Sequence, residues 1–107
     1  MSKITLTYND KEYDLEYSRQ SVRTMEAQGF VLNDIETKPV TMIPMLYQGA
    51  FIKNHEGIKR NLMDEIYDEL SDKTGLIAAL MELYVETLST LTDDKEEAGN
   101  ATWVMVK

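Results

Sequence analysis

The sequence has no cysteine and a single histidine. The first absence excludes a disulfide framework, a thiolate nucleophile and a cysteine zinc site, and it makes a reducing compartment the natural home of the fold. The second leaves His55 as the sole imidazole, in an apparent helix-terminal turn with Asn54, Glu56 and Gly57. Nothing beside it completes a catalytic triad, and it reads as a surface residue near a helix C-terminus, where partial positive charge is favourable. The five glycines are isolated, and none sits in a strand-to-helix phosphate loop, so nucleotide binding has no support.

Basic residues are also in short supply. Eleven lysines and arginines stand against nineteen carboxylates, a formal charge of -8. That balance repels phosphate backbones, argues against a nucleic-acid partner and favours solubility. The carboxylates Asp64, Glu65, Asp68 and Glu69 cluster on one helical segment without a Glu-x-x-His or calcium-loop pattern, and they read as a solvated acidic face. No metal, cofactor or catalytic residue is expected.

Long apolar runs are missing too. The most apolar stretch, residues 76–91, is interrupted by Glu82 and Glu86, and it falls short of the ~20 apolar residues that a membrane-spanning helix needs. The start, Met1-Ser2-Lys3-Ile4-Thr5, alternates polar and apolar instead of giving a secretory signal. The chain reads as soluble, with no membrane partner.

What is present is the pattern of one α+β domain, which suits a length of 107 residues. Period-two alternation in Thr5-Leu6-Thr7-Tyr8 and in residues 12–17, around Asn9-Asp10-Lys11, predicts a β-hairpin with Ile4, Leu6, Tyr8, Tyr13, Leu15 and Tyr17 on one face. Ser18 is placed to cap a helix through Gln28 that stops at Gly29, with Phe30 folding back onto Met25. Thr41 is placed to cap a second helix, with Pro44 in its first turn and the stripe Ile43, Leu46, Tyr47, Ala50 and Phe51. Asn61 begins a third helix, and Ser71-Asp72-Lys73-Thr74-Gly75 reads as a turn. A fourth helix to about Leu91 carries two apolar rows, Leu76-Leu80-Tyr84-Leu88-Leu91 and Ile77-Met81-Val85, which suggests the centre of the core or a face that also meets a partner. The expected architecture is an N-terminal β-hairpin packed on about four α-helices. It comprises a compact domain over residues 1–91 and, over residues 92–107, a polar linker with a flexible or extended apolar C-terminal tail.

The conspicuous surplus is methionine, seven in all. Flexible thioethers fill cores and also adapt to varied apolar partners, which makes Met42, Met45 and Met81 candidate partner-binding residues. Trp103-Val104-Met105-Val106, beyond the charge run at residues 93–97, joins them. This segment either folds back as a strand against the hairpin edge or anchors in another protein.

The order of hairpin, short helix, Lys38-Pro39-Val40-Thr41, Phe51-Ile52-Lys53-Asn54-His55 and Asp64-Glu65-Ile66-Tyr67-Asp68 resembles the tail assembly chaperones of long-tailed phages infecting Gram-positive bacteria. So do Leu80-Met81-Glu82-Leu83-Tyr84 and the late Asn100-Ala101-Thr102-Trp103. The resemblance spans roughly residues 4–106. It implies a non-catalytic chaperone in the host cell cytoplasm, absent from the mature virion, that holds tail tape-measure and tail-tube proteins; self-association is a further expectation. The rival readings are an acidic DNA mimic that inhibits a host nucleic-acid-binding protein, and a structural virion component.

Overall fold

The hairpin forms where the alternation puts it. Strands β1 (Ile4–Tyr8) and β2 (Lys11–Leu15) pair antiparallel, with Leu6 opposite Tyr13 and Ile4 opposite Leu15. Asn9 and Asp10 take positive φ, 50° and 64°, as a tight two-residue turn demands and as these two residue types tolerate. The structure, a computed structural model, describes residues 2–92 and 99–106. The charge run at residues 93–97, read as part of a linker, lies outside the described residues.

Four helices follow: α1 (Arg19–Ala27), α2 (Pro39–Gly49), α3 (Arg60–Asp68) and α4 (Lys73–Ser89), with a 3-10 turn at Leu32–Asp34 before α2. The chain is therefore α+β, as expected. Helix α1 begins and ends on local signals. Ser18 and Ser21 cap each other's backbone amides reciprocally. At the other end Gly29 sits at φ 102°, and the Phe30 N–H donates back to the Met25 carbonyl at 3.0 Å. That closure is the glycine stop in which the chain folds onto the last turn.

Several boundaries differ from expectation: α3 opens at Arg60, one residue before Asn61, and α2 ends at Gly49, ahead of Ala50 and Phe51 of its expected stripe. Helix α2 starts at Pro39, with Lys38 rather than Thr41 flanking it, and Pro44 lies inside the helix. Proline at the first helical position loses no intrahelical bond, so Pro39 nucleates the turn that Thr41 was expected to open. Helix α4 starts inside the expected turn: Asp72 Oδ1 accepts the Gly75 N–H at 2.9 Å. A side chain on Gly75 would collide with that carboxylate, which explains a glycine in the first turn.

The hub of the core is α2 rather than α4. Helix α2 packs against α1 and α4, and its last carbonyls are satisfied from three sides. Tyr47, Gln48 and Gly49 accept from Ala50, Phe51 and Ile52, and the buried Tyr17 hydroxyl donates to the Leu46 carbonyl at 2.6 Å. Tyr47 donates to the Met63 carbonyl of α3 at 2.7 Å. Leu46, Ala50 and Phe51 are fully enclosed. Helix α4 buries Leu80, Leu83, Tyr84 and Thr87, while its row Ile77-Met81-Val85 is left partly or wholly outside.

Candidate functional site

Among the described residues no three histidine, aspartate or glutamate side chains gather as metal ligands, and no described helix is long and apolar enough to cross a membrane. Every buried polar side-chain atom described has a hydrogen-bond partner.

His55 is not a solvated surface residue. Its Nε2 accepts the backbone N–H of Asp14 at 3.1 Å, and its ring packs against Tyr13 and Phe51. The adjoining Asn54 amide donates to the Asp14 carbonyl and to Glu16, and Lys53 pairs with Glu16 at 3.1 Å. Lys53-Asn54-His55 thus clamps the outer edge of β2 through backbone groups that the hairpin does not use. Hydrogen bonds from Asn54 and Lys53 hold the Glu16 carboxyl below its ordinary range, and those from Lys3 and Thr5 do the same for Asp14.

Of the methionines, Met42 is withdrawn from the surface: it is 5 % exposed, and its sulfur accepts the Val31 N–H at 3.4 Å. It lies on the same helical face as the buried Leu46 and Gly49, four and seven positions on, and so packs in the core. Met45 is half-buried in a hollow with Gln28, Ile52, Arg60 and Met63. Met81 lies elsewhere, on the outer row of α4, where it lines a shallow depression with Glu82, Val85 and Glu86. Val85 is 51 % exposed.

Trp103, Val104, Met105 and Val106 are exposed and belong to no strand or helix. The structure therefore does not bring Met42, Met45, Met81 and the terminal segment into one site. On α4 the row Ile77-Met81-Val85 is partly covered by the core and open at Val85, beside Glu82 and Glu86, and Glu86 accepts the Ser2 N–H at 3.0 Å. Val85 sits four positions beyond Met81, the spacing that stacks side chains on one helical face, and the structure places it outside the core as the row expected from the sequence allows. The acidic quartet on α3 is exposed, and Glu65 accepts the Tyr8 hydroxyl at 2.9 Å.

Fold and surface together define a small α+β domain with apolar side chains left outside its core. The chain belongs to the DUF5055 family, described as a domain of unknown function, whose family model matches residues 1–106. No curated protein and no solved structure matches it.

Proposed function

We propose that this protein is a non-catalytic chaperone of phage tail assembly that holds tape-measure or tail-tube subunits in the host cytoplasm and does not remain in the finished virion. The observation that carries the reading is the α4 row in which Val85 is exposed and Ile77 and Met81 are only partly covered by the core, with Glu82 and Glu86 beside it. An apolar stripe with an acidic rim is complementary to a helix that has an apolar face and basic flanks, and a methionine in that stripe accommodates varied side chains. A tape-measure protein, as a long helical chain with apolar stripes, needs such cover before it is packed. The net charge of -8 favours solubility of the complex. The resemblance in order and motif to tail assembly chaperones supports the same conclusion.

The test is co-expression with fragments of tape-measure and tail-tube proteins of a long-tailed phage. Recovery of a soluble complex, with fragments that precipitate when expressed alone, is the expected result. Fragments that precipitate equally with and without this protein would remove the proposal.

A further inference from the structure

The two edges of the hairpin are treated differently. On the β2 side, the Asp14 N–H and C=O and the N–H of Glu16, just past the strand, face outward and are engaged by His55, Asn54 and the Ala50 carbonyl, whereas the outward groups of Glu12 have no partner among the described residues. Because Asp14 points outward, its cross-strand partner Thr5 must point outward on the opposite edge, and Thr7 with it. Among the described residues, the backbone N–H and C=O of Thr5 and Thr7 make no bond outside the hairpin. The apolar row of β1 is also incompletely covered: Ile4 and Tyr8 are half-buried, whereas Leu15 and Tyr13 across the ladder are buried.

The same chain holds an unspent strand. Residues 102–106, Thr-Trp-Val-Met-Val, are β-branched or aromatic at four of five positions. They match the five-residue length of β1 and contain no charge. Trp103, Val104, Met105 and Val106 are between 74 and 88 % exposed, so in the single chain the segment does not lie on its own edge.

We infer that the open edge of β1 receives residues 102–106 of a second copy of this chain, in reciprocal exchange. Backbone bonds from Thr5 and Thr7 hold the added strand, and with the segment offset by one residue from β1 alternation sets Trp103 and Met105 beside two neighbouring members of the Ile4-Leu6-Tyr8 row. A second copy is the occupant for two reasons. Reciprocal exchange uses both open edges and closes the assembly as a pair rather than a fibre. The edge threonines and the segment are uncharged, which permits contact between two bodies that each carry -8. This inference is independent of the proposed partner, since it concerns the hairpin edge and not the outer row of α4.

The experiment is sedimentation equilibrium of the full chain over a range of concentrations, with Trp103 emission read on the same samples; Trp103 is the sole tryptophan. The expected result is a mass of twice 12.3 kDa, with emission shifting to shorter wavelength as the pair forms. Thr7→Pro removes an edge N–H that the hairpin does not use, and Val104→Pro breaks the segment outside the core; each is expected to return the chain to a monomer with solvent-exposed tryptophan. Circular dichroism checks the fold of Thr7→Pro, and Val104→Pro carries the test if that variant unfolds. A monomer at every concentration overturns the inference, whether Trp103 is exposed or shielded by its own chain. A dimer that survives Val104→Pro overturns it as well, by placing the contact on another surface.

Discussion

The Nε2 of His55 accepts the backbone N–H of Asp14 across 41 residues of chain, joining the turn after α2 to the outer edge of β2. An acceptor at this nitrogen requires the neutral imidazole with its proton on Nδ1. His55→Ala would leave the Asp14 amide without its partner and strip packing from Tyr13, at a cost of about 1–3 kcal/mol. Urea unfolding of wild type and variant measures it, and an unchanged midpoint would show that the clamp contributes nothing.

The same clamp makes stability fall in acid. Asn54 and Lys53 hold the Glu16 carboxyl below its ordinary range, so the folded state binds fewer protons than the unfolded state in that window. The contribution is present above about pH 4.3, the ordinary glutamate value, and is lost as pH falls through the depressed folded value. Glu16→Gln is expected to flatten this part of the stability profile, measured as urea midpoints from neutral pH to about pH 3.

Alkali acts through the tyrosines. Burial pushes Tyr17, Tyr47 and Tyr84 above the ordinary phenol range, and Tyr17 and Tyr47 also donate to the carbonyls of Leu46 and Met63. The unfolded chain releases these protons first, so stability is intact below about pH 10 and declines above it. Tyr17→Phe is expected to make that decline shallower while lowering stability at neutral pH by about 1–3 kcal/mol, because the Leu46 carbonyl loses its donor. Tyrosinate absorbance and denaturant midpoints above about pH 10 report both effects.

Local signals were legible in the sequence and distant ones were not. Ser18, Gly29 and the Asn9-Asp10 turn act within a few residues of themselves, and each does in the structure what its type and position imply. The start of α2 was ambiguous because both Pro39 and Thr41 suit a helix N-terminus, and the helix opens at the proline, whose fixed φ suits the first helical position. His55 was misread because its partner lies in β2 and no periodicity connects them. Helix α4 looked central because its two apolar rows are adjacent in sequence pattern, yet burial is decided by what covers each row, and α2 covers only one. The place of Trp103 depends on what meets it, which one chain's pattern does not contain.

Close approach of α1 and α2 gives a sharper test of packing. A Cβ on Gly49 would lie 2.7 Å from Cε and 2.8 Å from Cγ of Met25, a side chain only 1 % exposed. Overpacking of this kind costs about 1–3 kcal/mol, which outweighs the gain of about 1 kcal/mol from alanine in a helix. Gly49→Ala is therefore expected to destabilise. Gly57→Ala, where a Cβ meets open space, is expected to change the urea midpoint little.

Partner capture should depend on where a charge is added and not merely on its sign. Val85 and Val40 are both exposed valines, at 51 and 88 %, so glutamate is tolerated by the fold at either site. Only Val85 lies on the outer row of α4, beside Met81, Glu82 and Glu86. Val85→Glu would force an unpaired carboxylate against an apolar helix face, and capture of a tape-measure fragment is expected to weaken by about tenfold or more, each tenfold being about 1.4 kcal/mol. Val40→Glu, at the start of α2, is expected to leave capture unchanged. Met81→Glu is expected to weaken capture too, but Met81 is half-buried, so its effect counts only alongside an unchanged thermal midpoint. Trp103→Ala separates the terminal segment from the row: weaker capture in that variant alone would move the contact to the tail. Equal capture by wild type, Val85→Glu and a folded Met81→Glu would show that the partner never touches α4.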